Sequence, residues 1–137
     1  MSYAGDVEAT AAYDALATDE DAVLVDVRTA AEWNYVGLPD LSGLGKRVIC
    51  VQWQTFPDAA LNGDFVDELQ DAGLPDGATI YFLCRSGARS AAAAAAATAV
   101  GLGPAYNVSD GFEGPQDEHG HRSVSGWKNV GLPWRQG

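Results

Sequence analysis

The run Thr79 to Leu83 is nearly continuously apolar through Ile80-Tyr81-Phe82-Leu83, and a strand without polar alternation must be covered on both faces. It ends in Cys84-Arg85-Ser86-Gly87-Ala88-Arg89, and from Ser90 the chain passes through seven consecutive alanines to Gly101. Alanine is the strongest helix former and glycine a common helix exit, so the stretch predicts a buried strand, a tight loop and a helix. Val23 to Val27, continuously apolar through Val23-Leu24-Val25, is a second strand-like run, and Arg47 to Trp53 and Ala105 to Val108 add two more strands.

Helical signals fall between these strands. Thr29-Ala30-Ala31-Glu32 fits a capping box, Phe65, Val66 and Leu69 share one helical face before the stop at Gly73, and Ala12, Tyr13 and Leu16 suggest a helix over Thr10 to Ala17. Strands alternating with helices predict the α/β class with a mostly parallel sheet. The length of 137 residues predicts one domain over 1–137. The stretch from Ser109 to Gly137 is glycine-rich, yet Phe112, Trp127, Leu132 and Trp134 give it the apolar surface of an ordered coil packed on the body.

Eight Lys and Arg against nineteen Asp and Glu leave a net charge of −11, which disfavours nucleic acid and anionic membranes as partners. The N-terminus lacks the basic start and apolar run of a secretory signal, and the alanine stretch is shorter than the ~20 residues of a bilayer span. With only two cysteines, Cys50 and Cys84, the reading is a cytoplasmic protein without a disulfide framework.

Cys84 falls at the carboxyl end of a central strand, where ligands bind in open α/β sheets. Gly87 lets the following amides curl inward as an anion nest, and the next helix points its positive end at the same place. Hydrogen bonds to a charged group contribute about 1.5 to 3 kcal/mol each and the helix dipole about 0.3 to 1 kcal/mol, so loop amides should dominate in favouring a thiolate. The reading requires a sulfur that solvent can reach. Cys50, mid-strand in Val48-Ile49-Cys50-Val51, reads instead as a small core filler, with a resolving or sensing thiol as the alternative. Arg28 reads as structural and paired with a carboxylate such as Glu32. Trp53, Trp127 and Trp134 read as core or rim aromatics, Asp110 and Glu113 as acids of a phosphatase mechanism or equally well as turn residues, and His119 and His121 as members of a loop and not metal ligands. No cofactor is called for.

The Cys84–Arg89 loop resembles the active-site loop of rhodanese-like sulfurtransferases. Val25-Asp26-Val27-Arg28 with Glu32-Trp33 is similar to the Asp-Val-Arg segment of that family and its downstream Glu. Tyr106-Asn107-Val108, Asp110-Gly111-Phe112-Glu113-Gly114, Gly126-Trp127-Lys128 and Gly131-Leu132-Pro133-Trp134 resemble the end of its single-domain bacterial members. The resemblance implies a five-stranded, mainly parallel sheet with helices on both faces and a first strand near Asp6 to Glu8. It implies Cys84 as the sulfur-accepting residue, with Arg85, Ser86, Gly87, Ala88, Arg89 and Ser90 binding substrate. Arg89 is the better candidate of the two arginines to brace the loop through a carboxylate. The expected partners are a small anionic donor such as thiosulfate and a thiol or cyanide acceptor.

Where many members carry Gly-His-Ile, this chain reads Asn34-Tyr35-Val36-Gly37-Leu38-Pro39. Cysteine phosphatases and arsenate reductases have a loop one residue longer, and phosphatases usually carry His where Leu83 stands, so sulfur is favoured over phosphate. A low-turnover sulfur-carrying or regulatory module is the other alternative.

Overall fold

A computed structural model describes residues 3–55 and 60–136. In chain order the elements are β1 (Gly5–Val7), α1 (Ala9–Thr18), β2 (Val23–Asp26), α2 (Ala30–Tyr35), β3 (Leu38–Pro39), a 3-10 turn (Ser42–Leu44) and β4 (Ile49–Cys50). They continue with β5 (Gln54–Thr55), β6 (Ala60–Leu61), α3 (Phe65–Asp71), β7 (Ile80–Leu83), α4 (Ala88–Ala99), β8 (Ala105–Val108) and β9 (Trp134–Arg135). Five strands form a parallel sheet in the order β1-β8-β7-β2-β4, the predicted α/β class. The unalternating runs occupy its centre: β7 is buried along its whole length, as are Leu24, Val25 and Asp26 of β2.

Each face of the sheet is covered. On one, Val25, Phe82, Cys84 and Ala105 pack with Phe65 and Leu69 of α3 and Ala93, Ala94 and Ala97 of α4. On the other, Leu24, Leu83 and Val108 pack with Ala9, Ala12 and Leu16 of α1 and with Phe112 and Trp127 from the C-terminal coil. The small alanine side chains of α4 let it lie close against β7 and β8. No helix among the described residues is long and apolar enough to cross a membrane.

Several boundaries depart from expectation. The Arg47 to Trp53 strand shrinks to two residues because it forms the edge of the sheet, bonded on one side only, to β2. The alanine helix begins at Ala88, two residues before Ser90, so Arg89 and Ser90 lie within its first turn. The helix expected over Thr10 to Ala17 extends over Ala9–Thr18, and the first strand is Gly5–Val7. The C-terminal coil buries Phe112 and Trp127 as expected, while Trp134 stays 37% exposed and joins β9 to β3 in a two-strand pairing. Gly137 lies outside the described residues.

Candidate active site

Strand β7 ends at Leu83, and Cys84 follows at the mouth of the loop that enters α4. Gly87 turns the chain there with φ 110°, and a Cβ at this position would run into the Ser109 carbonyl oxygen, so the turn demands glycine on both counts. From the other side, Gly111 presses on the Arg85 carbonyl with no space for a side chain. The Arg85 carbonyl accepts the amides of Glu113 and Gly114, and the Cys84 carbonyl accepts that of Phe112 at 2.8 Å. The loop is thereby clamped by the segment after β8.

The Gly87 amide donates to Cys84 Sγ at 3.1 Å, and Ser90 Oγ lies 3.2 Å from the same sulfur. The amides of Ser86, Ala88 and Arg89 have no protein acceptor among the described residues, as expected at the open end of a helix. The expected ring of amide donors around the thiol itself is thus one amide, with the Ser90 hydroxyl beside it. Cys84 is 1% exposed, which contradicts the expected solvent access: its sulfur touches Gly87 and Ser90, both buried, while Arg85 and Ala88 are exposed. A cavity of about 680 Å³ lined by Asp40, Ser42, Lys46, Arg47 and Arg135 includes none of the loop residues.

The two loop arginines differ. Arg89 donates through Nη1 and Nη2 to the two carboxylate oxygens of Glu32 at 2.7 and 2.9 Å. The Thr29 amide also donates to Glu32, and the Glu32 amide to Thr29 Oγ1, completing the capping box that starts α2. Partial burial, the largest single influence, pushes the Glu32 carboxyl up. The Arg89 hydrogen bonds and charge, with help from the Thr29 amide and Arg28, outweigh it, leaving Glu32 below its ordinary value. Arg85 is exposed and has no carboxylate within 4.0 Å among the described residues.

Arg28 is structural, but its partner is Asp26 and not Glu32. Its Nε and Nη2 engage the Asp26 carboxylate, Nη2 at 2.7 Å, with both side chains 0% exposed. Nη2 also donates to the Gly37 carbonyl at 2.7 Å, and the guanidinium stacks 4.3 Å over the Phe112 ring. The chain turns just past the end of β2, where the Arg28 amide also donates to Asp26 Oδ1 at 3.0 Å, so backbone and guanidinium meet the same carboxylate.

Cys50 is exposed, not a core filler, because β4 is an edge strand. Its thiol is pushed up to about 11 by local burial and then by the Asp26 carboxylate, with Arg28 and Arg135 pulling the other way. Cys50 and Leu83 both stand in register with Asp26, so all three share one face, whereas Cys84 packs in the opposite core. The two thiols are on different sides of the sheet.

Asp110 takes the Ala9 amide on one oxygen and the Gly126 amide on the other, which makes it a tie between α1 and the C-terminal coil. His119 and His121 are exposed in a turn whose amides donate to Asp117. Sequence reasoning missed two residues near Cys84: Asn107 of β8, which Ser90 reaches at 2.5 Å, and Asp6 of β1, which receives Asn107 Nδ2 at 3.0 Å. The available signal was an amide inside an apolar strand, which must find a buried partner.

Comparison with known proteins gives this geometry a family. The family model described as the STR4 middle domain matches residues 4–137. A Rickettsia conorii protein named only as uncharacterized, RC0915, is 44% identical over 127 residues, covering 92% of this chain and 93% of that protein. The chloroplastic rhodanese-like domain-containing protein 4 of Arabidopsis thaliana is 31% identical over 90% of this chain, which spans 24% of that longer protein. The crystal structure of Rv0390 from M. tuberculosis superposes with a TM-score of 0.92 at 53% identity, covering 99% of this chain and 100% of that one. The polysulfide-sulfur transferase homodimer of Wolinella succinogenes shares the fold, with a TM-score of 0.62 at 22% identity over 96% of this chain and 78% of that one. The chain belongs to the rhodanese-like family, in the group that the STR4 middle domain defines.

Proposed function

We propose that this chain is a sulfurtransferase that carries sulfane sulfur on Cys84. The supporting observation is a sulfur atom at the carboxyl end of a central strand that receives the Gly87 amide, in a loop where the amides of Ser86, Ala88 and Arg89 have no protein acceptor among the described residues. In the first half-reaction the Cys84 thiolate attacks the outer sulfur of a donor such as thiosulfate. A new S–S bond forms on Cys84, and the donor's own sulfur–sulfur bond breaks with its electron pair leaving on sulfite. In the second, cyanide or a thiolate attacks the terminal sulfur and Cys84 departs as thiolate. Two easier displacements replace one transfer, and ping-pong kinetics follow.

The residues divide this work. Free amides hold the terminal sulfur anion by the electrostatics of an oxyanion hole. Arg85, with no carboxylate within 4.0 Å among the described residues, meets the anionic donor, while Arg89 holds the loop through Glu32. Cys84 is 1% exposed, so the sulfur must be uncovered before a donor reaches it. That burial also favours a second reading, a sulfur-carrying or regulatory module with little turnover.

Intact mass after thiosulfate treatment tests the proposal. Wild type and Cys50→Ser should each gain one sulfur atom and Cys84→Ser none, with cyanide removing the adduct in repeated cycles. Loading without turnover selects the module. Absence of loading, with phosphate-ester hydrolysis lost in Cys84→Ser, selects a phosphatase.

A further inference from the structure

Ser90 has one hydroxyl proton and three neighbours able to take it: Cys84 Sγ at 3.2 Å, the Gly87 carbonyl at 3.2 Å and Asn107 Oδ1 at 2.5 Å. Ser90 is 0% and Asn107 4% exposed, so bulk water does not share the duty. The orientation of the Asn107 amide decides among them. Strands β1 and β8 place Asp6 directly opposite Asn107, and Asn107 Nδ2 donates to Asp6 Oδ1 at 3.0 Å. The same oxygen takes the Tyr3 hydroxyl at 2.8 Å. A carboxylate only accepts, so it fixes the amide with nitrogen toward Asp6 and oxygen toward Ser90. That oxygen also only accepts. The Ser90 proton therefore points at Asn107, and the Ser90 lone pairs face the sulfur.

We infer that Asp6 and Asn107 direct the Ser90 hydroxyl away from Cys84, so that in the resting protein Ser90 accepts from the Cys84 S–H instead of donating to sulfur. When the sulfur becomes anionic, the hydroxyl must turn to it and strand Asn107 Oδ1, a buried acceptor whose loss of its partner carries a free-energy cost. Asn107 and Asp6 are positioning residues that hold the thiol back. The consequence for turnover rests on the proposal that Cys84 is the sulfur-accepting nucleophile; the hydrogen-bond direction does not.

The charged groups around the loop are Arg85, the Arg89–Glu32 pair from α4 and α2, the buried Asp26–Arg28 pair from β2, Asp6 from β1, and Asp110 and Glu113 beyond β8. All except Asp6 are shared by the variants that test the inference.

The test is iodoacetamide alkylation of Cys84 across pH, with Cys50→Ser as the background. Asn107→Leu keeps the shape of the side chain and removes the amide, freeing the Ser90 proton for sulfur. Alkylation at neutral pH should rise about tenfold, the order of one hydrogen bond to a charged group, with the rate–pH curve displaced to lower pH. Asp6→Asn should act in the same direction by letting the Asn107 amide turn over. Asp6 is exposed, so this variant carries the test if Asn107→Leu fails to fold. Its effect should survive about 1 M salt, which would erase a purely Coulombic effect of the lost carboxylate.

In the infrared, the S–H stretch should show a donating thiol in the parent and shift in both variants. Unchanged or slower alkylation in folded Asp6→Asn, or an effect abolished by salt, overturns the inference. Alkylation of the sulfur-free protein reads the Cys84 thiol whether or not thiosulfate loads it, so failure here is separate from failure of the sulfur-loading experiment.

Discussion

Arg89 and Glu32, 57 residues apart in sequence, meet in a two-pronged ion pair at 2.7 and 2.9 Å that ties the cysteine loop to the start of α2. Glu32 simultaneously closes the capping box with Thr29, so one carboxylate both starts a helix and anchors the loop. Glu32→Gln keeps the shape and an oxygen for the Thr29 amide but loses the charge. Both side chains are about one-fifth exposed, which limits the expected loss to about 1 to 2 kcal/mol in urea unfolding. Sulfur transfer should fall about tenfold in kcat/KM because the loop loses its register.

The same pair predicts an acid-labile contribution. Glu32 is held below its ordinary carboxyl value in the folded chain, so the unfolded chain binds a proton first as pH falls. The stabilisation is complete above the unfolded value near ~4.3 and disappears as pH drops through the lower folded value. Urea midpoints of wild type and Glu32→Gln, compared from about pH 7 to about pH 3, should converge in acid. A gap that stays constant over that range would show that the charge of Glu32 contributes nothing.

Asp26 and Arg28 are both 0% exposed, and removal of the carboxylate leaves a buried cation uncompensated. Asp26→Asn should cost about 3 to 5 kcal/mol in urea unfolding. The double variant Asp26→Asn/Arg28→Met should recover much of that loss, because the apolar replacement removes the stranded charge. A double variant as unstable as the sum of its single changes would refute the coupling.

The parts of this architecture that sequence reveals are those set by local rules. Unalternating runs mark β2 and β7 because only strands covered on both faces tolerate them, and the Thr29–Glu32 box marks α2 because its two bonds are three residues apart. The pairings β3–β9 and β5–β6 are two residues long, too short to show a period. Cys50 was misread because strand composition cannot reveal that β4 is an edge; that depends on strand order. Glu32 stands close enough in sequence to pair with Arg28, and only the fold brings Arg89 to it. Asp6 and Asn107 meet across 101 residues through the β1–β8 register, which no local pattern encodes.

Cys50 gives the last prediction, and its surface position makes the expected result counterintuitive. Burial of the thiol itself and the Asp26 carboxylate disfavour the anion, pushing it up to about 11 against Arg28 and Arg135. A raised thiol is protonated at neutral pH, with about one molecule in ten thousand ionised at pH 7, and only the thiolate reacts. In Cys84→Ser, alkylation of Cys50 followed by intact mass should therefore be slow at pH 7 and climb about tenfold per unit until near pH 11. A plateau near ~8.5, the behaviour of an unperturbed cysteine, would show that the sheet edge does not shield the thiol. It would also reopen Cys50 as a second sulfur acceptor, a role that its protonation and its place across the sheet from Cys84 oppose.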